Sequence, residues 1–186
     1  MEKQAPRDRL ENGPFDVSEV GLLAPYLDFG SIRVAPMANM QIRADIEESS
    51  KRLIAISLEI ESHRIQLQAF AASKTEGLWG PTIESIEASL SSQGGSATRL
   101  ESEIGVELLA QIPLEENGKR VVRESRFIGV DGPKWFLRGV LTGPEHHLSS
   151  RREPLIAAFR AVAVSRGEVP MPPGELLPLS LPGSAS

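Results

Sequence analysis

The stretch VELLAQIPLEENGKRVVRESRFIGVDGPKWFLRGVLTG, residues 106–143, decides the fold through its two turns. Asn117-Gly118 marks a two-residue β-hairpin, because both turn positions need a positive φ that Asn and Gly tolerate. Counting outward, Glu116 pairs with Lys119, Leu114 with Val121, Ile112 with Arg123, Ala110 with Ser125 and Leu108 with Phe127. Glu115 falls opposite Arg120, an oppositely charged cross-strand pair. The second turn is Asp-Gly-Pro, all turn formers. A four-residue loop over residues 131–134 predicts Val130 opposite Trp135, Gly129 opposite Phe136 and Phe127 opposite Arg138. One face then holds Phe127, Phe136 and the charged Arg138, and the other holds Ile128, Val130, Trp135, Leu137 and Leu141. A hairpin apolar on both faces is covered twice, or presents one face to something else.

Working outward, residues 40–46, 53–60 and 64–71 alternate apolar and polar, the period of half-buried strands. Their short links make them antiparallel neighbours. FGSIRV, ended by Pro36, reads as a further strand. At WGPTIESIEASLSSQGG the period changes: Ile83, Ile86 and Leu90 form one helical stripe, with Pro81 near the start and Gly94-Gly95 at the stop. A second helix follows Ser149 or Ser150 as cap, with Leu155, Ile156, Phe159 and Val162 as its stripe. The expected fold class is therefore α+β, an antiparallel β-sheet of hairpins with two flanking α-helices.

Three segments are expected. Residues 1–28 form an N-terminal arm, partly flexible, with three basic and six acidic residues and anchors such as Phe15, Val17 and Tyr26. Residues 29–166 form a single α+β domain. Residues 167–186 form an extended Pro/Leu-rich strap, since its prolines exclude a helix. Its aliphatic side chains, Leu176, Leu177, Leu179 and Leu181 among them, are expected to pack on the sheet surface of the same domain, with a partner's surface as the alternative.

Composition narrows the functional classes. The chain has 186 residues, 40% hydrophobic and 24% charged, enough for a real core. A formal charge of −5 gives no global attraction to nucleic acid or anionic membrane. The absence of cysteine removes disulfides, thiolate metal sites and cysteine nucleophiles. No secretory signal and no membrane-spanning run is legible, so a cytoplasmic protein is expected. No P-loop, dinucleotide fingerprint or nucleophile elbow is present. Glu145-His146-His147 is a histidine pair without further ligands, and His63 stands in a short link, so no metal and no cofactor are expected. The most basic window, residues 119–138, splits its arginines between two faces. Arg123 and the expected partner of Arg138 lie roughly 13 Å apart at about 3.3 Å per residue, which argues against nucleic acid.

The candidate binding residues are Arg138, Trp135 and Arg123, with no catalytic candidate. Arg138 is either a guanidinium laid over an aromatic ring or a cation awaiting an anion.

The phrases NGPFDVSEV, LDFGSIRVAP, IQLQAFAA, GVDGPKWFLRGVLTG and RGEVPMPPGELLPLSLP resemble those of an uncharacterised actinobacterial family, a domain of unknown function. The resemblance runs from Gly13 to Pro182, and GVDGPKWFLRG is its most distinctive part. It implies a soluble bacterial cytoplasmic protein and brings no activity, substrate or catalytic residue with it.

Three functional readings follow. The first is a non-enzymatic module that binds an unknown protein partner. The second is a small-ligand or anion-binding domain using Arg138 and Trp135. The third is an enzyme of unidentified type. A concave pocket at Arg138 would favour the second reading, and a flat exposed apolar face the first.

Overall fold

The computed structural model of the protein describes residues 1–21, 25–144 and 152–183. The expected Glu145-His146-His147 pair and the Ser149/Ser150 cap lie outside the described residues. In chain order the elements are α1 (Arg9–Asn12), β1 (Phe15–Asp16), a 3-10 turn (Val17–Glu19), β2 (Leu27–Asp28), β3 (Ile32–Val34), β4 (Met40–Glu47), β5 (Arg52–Ile60), β6 (His63–Ala71), α2 (Trp79–Ser92), β7 (Ser96–Ser102), β8 (Gly105–Glu116), β9 (Lys119–Asp131), β10 (Trp135–Thr142), α3 (Arg152–Arg160) and β11 (Ala163–Val164). The fold is α+β.

The main sheet has seven strands in the order β4-β5-β6-β10-β9-β8-β7, all neighbours antiparallel. Two meanders, β4–β6 and β7–β10, meet where β6 pairs with β10, and α2 carries the chain between them. A small sheet, β1-β11-β3-β2, packs below, with β1 and β11 parallel. Odd residues of β10 face α3 and the small sheet. There Ile65, Leu67, Ile128, Val130, Trp135, Leu137 and Phe159 form the main core, each fully buried. Even residues of β10 face α2, where Trp79, Ile83, Leu108 and Phe136 form a second, smaller core.

The β8–β9 hairpin has the register set by Asn117-Gly118, down to Ala110 opposite Ser125. The β9–β10 register differs from expectation. Val130 faces Leu137, and Arg138 faces Gly129 rather than Phe127. The loop is shorter than four residues: Lys134 takes φ 62°, and the Gly132 N–H donates to the Trp135 carbonyl at 2.9 Å, leaving a two-residue turn at Pro133-Lys134. The slip is two positions, an even number, so each side chain keeps its face.

His63 is not a link residue. Glu61 and Ser62 both take positive φ and make the turn alone. His63 opens β6, buried, with Nδ1 3.0 Å from the Glu61 carbonyl and Nε2 without a hydrogen-bond partner.

The strap docks on its own domain and adds backbone pairing to the side-chain packing. β5 pairs with β6 only from Ile60↔His63 to Ile56↔Leu67 and then diverges. Residues 174–177 fill the vacated edge: the Leu177 N–H donates to the Ala69 carbonyl, the Ala71 N–H to the Glu175 carbonyl and the Gly174 N–H to the Ala71 carbonyl, each at 2.8 Å. Beyond them the Ser31 and Ser180 N–H groups tie the strap to the loop before β3. The strap thus packs on its own domain, completing a sheet edge through its backbone, with Leu177 buried in the main core and Met171 and Leu179 packed against it.

Candidate functional site

Asp131 organises the α2 face. It ends β9, is buried, and accepts backbone N–H groups from Gln4 at 2.9 Å, Leu78 at 2.8 Å and Trp79 at 3.3 Å. Leu78 and Trp79 are the entry to α2, whose N-cap residue supplies no side-chain cap of its own. A carboxylate there satisfies orphan amides and complements the positive end of the helix dipole. α2 is thereby fixed over β7, β8 and β9, and its edge stops above β10 and β6.

At that edge lies an open cleft of about 320 Å³. Its floor is sheet: Phe70 and Phe136 are cross-strand partners with centroids 5.9 Å apart, and Phe136 stacks in turn on Trp79 at 5.8 Å. Leu78, Pro81, Thr82, Ser85 and Ile86 of the α2 entry form one wall, and Gly174 of the strap closes the far end. The cleft is mainly apolar.

Arg138 is its cation. It pairs with Gln68 across β10–β6, donates to the Gln68 side-chain oxygen, and lies 5.6 Å from the Phe70 ring centroid. Gln68 is held in turn, its Nε2 donating to the Ile54 carbonyl at 3.0 Å across the gap where β5 leaves β6. Among the described residues no carboxylate lies within ion-pair distance of Arg138. Burial pushes its pKa below the ordinary arginine value, yet a guanidinium keeps its proton in a protein. The site is therefore a partly desolvated positive charge held by a neutral amide and an aromatic ring.

Trp135 and Arg123 are elsewhere. Strand alternation puts Trp135 on the α3 face, fully buried, its Nε1 donating to Asp16 at 2.9 Å and its ring 5.8 Å from the Arg9 guanidinium. It anchors the N-terminal segment and does not reach the cleft. Arg123 is exposed near the β8–β9 turn, paired with Glu116 at 2.5 Å. The partner of Arg138, Gly129, is six residues from Arg123, on the order of 20 Å along the strand. The sequence reading missed Gln68, Phe70 and the α2 entry. Phe70 and Gln68 share the parity of one strand face, but nothing local tells β6 to pair with β10.

A second charged cluster lies on the α3 side. Glu107, fully buried, bonds Arg152 and lies 3.5 Å from Arg126, while Glu103 holds Arg152 at 2.8 Å. This cluster pins the start of α3 to β8. Among the described residues no group of three or more His, Cys, Asp or Glu is placed to hold a metal. No helix among them is long and apolar enough to cross a membrane.

A family model described as Protein of unknown function (DUF3710) matches residues 13–186. No curated protein and no solved structure matches the chain.

Proposed function

The chain belongs to this family, and from that premise we propose that it is a binding domain for a small amphipathic anion, a carboxylate with an apolar body. The observation that carries this reading is Arg138: a half-buried guanidinium in a concave apolar cleft, with no carboxylate partner among the described residues. Holding a charge partly out of water costs free energy unless it is paired. A ligand carboxylate would supply the pairing through the planar donors of the guanidinium. Phe70, Phe136 and Ile86 would cover the apolar body. The cleft volume is near the small end of the about 300–1,000 Å³ usual for such sites. Ser85 and Thr82 are its hydroxyls, with Thr82 donating to the Leu78 carbonyl at 2.6 Å, and the described lining residues include no His, Asp, Glu or Lys to act as a general base. Binding rather than turnover fits this chemistry.

The test uses benzoate, phenylacetate and octanoate as probes in titrations followed by NMR. At least one should shift Phe70, Phe136 and Ile86 together, and Arg138→Met should weaken it at least about tenfold, roughly 1.4 kcal/mol. Because Arg138→Met orphans no carboxylate among the described residues, the variant should melt at the wild-type temperature or above. Binding untouched by the substitution, or no shift with any probe, rejects the reading. A second reading, a protein-interaction module, is supported by the exposed apolar residues of the β8–β9 ribbon, Leu114 and Val122.

A further inference from the structure

The β8–β9 hairpin outruns the sheet. β7 pairs with β8 only as far as Gln111, and β10 pairs with β9 only from Arg126. Past those points residues 112–124 are a two-stranded ribbon. Asn117 and Gly118, both at positive φ, close a two-residue turn, so Glu116 and Lys119 exchange backbone hydrogen bonds. By alternation Val121 and Arg123 also turn their backbone groups to β8, while Arg120, Val122 and Glu124 turn theirs outward. The parity holds at the far end of the strand, where the N–H of Gly132, another even position, meets β10. Among the described residues the outward N–H and C=O groups of Arg120, Val122 and Glu124 have no backbone partner. Val122 is 53% exposed, high for a β-branched residue in a strand.

We propose that this free edge pairs with the same edge of a second copy of the chain, antiparallel, about a two-fold axis at Val122. In that register Val122 meets the second copy's Val122, and Arg120 meets the second copy's Glu124, twice by symmetry. Each of these pairs exchanges the outward backbone groups, so hydrogen-bond parity is satisfied. Opposite charges across an antiparallel pair stabilise it, and like charges oppose it. Sliding the register one step either way sets Val122 against Arg120 or Glu124 and loses both ion pairs. The order Arg-Val-Val-Arg-Glu over residues 120–124 is complementary to its own reverse at the outward positions, which is what an isologous contact requires. The two sheets would become one continuous sheet, removing an edge that is otherwise a template for uncontrolled pairing.

The test is sedimentation equilibrium of the full chain over a range of concentrations. A reversible dimer is expected, weak because edge pairing buries less than the about 1,600 Å² of a standard interface. Val122→Pro removes an N–H from the outward side only and leaves the β8 ladder whole. It should raise the dissociation constant at least about tenfold, equivalent to 1.4 kcal/mol, with an unchanged circular dichroism spectrum. Arg120→Glu and Glu124→Arg should each be monomeric alone and form a heterodimer when mixed. A wild-type chain monomeric at every concentration, a dimer indifferent to Val122→Pro, or a mixture that does not associate overturns the proposal.

Discussion

The backbone N–H of Trp79 points at the carboxylate of Asp131, 3.3 Å from Oδ1 and 3.4 Å from Oδ2. This contact joins the first residue of α2 to the last of β9 and sets where the helix edge falls relative to the cleft. Asp131→Ala should cost roughly 2–4 kcal/mol, the loss of a cap plus buried amides left unpaired. Asp131→Asn should cost less, since an acceptor oxygen remains without its charge. Urea denaturation of the three proteins measures both, and equal stability of wild type and Asp131→Ala would show that the helix start is held by other means.

Gly129 is the floor on which Trp79 rests. A Cβ there would sit 2.5 Å from the Trp79 ring and 2.7 Å from Phe136. Gly129→Ala should therefore destabilise by about 1–3 kcal/mol, as overpacking does, and should change the fluorescence of the folded state as the indole is displaced. An Ala variant of native stability and spectrum would mean that the ring pair has room to move.

Leu177 is the strap's one fully buried leucine. Leu177→Ala should cost about 2–5 kcal/mol, whereas Leu181→Ala, at a 53% exposed position, should change stability by less than about 0.5 kcal/mol. Amide hydrogen exchange gives a second readout: protection of Ala71, whose N–H bonds Glu175, should fall in Leu177→Ala and stay intact in Leu181→Ala.

Glu19 links stability to acid pH. Two hydrogen bonds from Arg9, at 2.8 and 2.9 Å, hold its carboxyl below the usual value, against a smaller opposing effect of burial. Its folded pKa is lower than its unfolded one, so the contribution is complete above the ordinary carboxylate pKa of about 4.3. It is lost as pH falls through the depressed folded value. Arg9→Gln should flatten this part of the acid slope by up to about 1 kcal/mol, read as the difference in urea midpoints between neutral and acid pH. Parallel slopes in the two proteins would remove Glu19 from the account.

What the sequence disclosed follows the range of its signals. The β8–β9 register was legible because Asn117-Gly118 admits one turn geometry and alternation propagates it outward. The β9–β10 register slipped by two because nothing in Asp-Gly-Pro-Lys announces that Lys134 takes a positive φ. Faces survived that slip, so Arg138 was rightly grouped with Phe136. The cleft was not legible: it needs β6 beside β10, Asp131 under α2, and Gly174 at the edge of β6, and these are contacts between segments far apart in the chain. Trp135 is three residues from Arg138 in sequence, yet strand alternation turns it to Asp16 and Arg9 on the other face.

The gap that β5 leaves beside β6 has a consequence in time. The residues that close it, at the Leu177–Ala69 and Gly174–Ala71 hydrogen bonds, are translated more than a hundred positions after the strand they complete. Pairings of such sequence separation form late and slowly. Between the completion of β10 at Thr142 and the arrival of Leu177, Ala69, Phe70 and Ala71 form an unpaired apolar border in a nearly finished sheet, the kind of surface chaperones hold. Closure of that border by the strap is the step that converts a sticky nascent sheet into a finished one, and it brings Gly174 to the end of the Arg138 cleft in the same event.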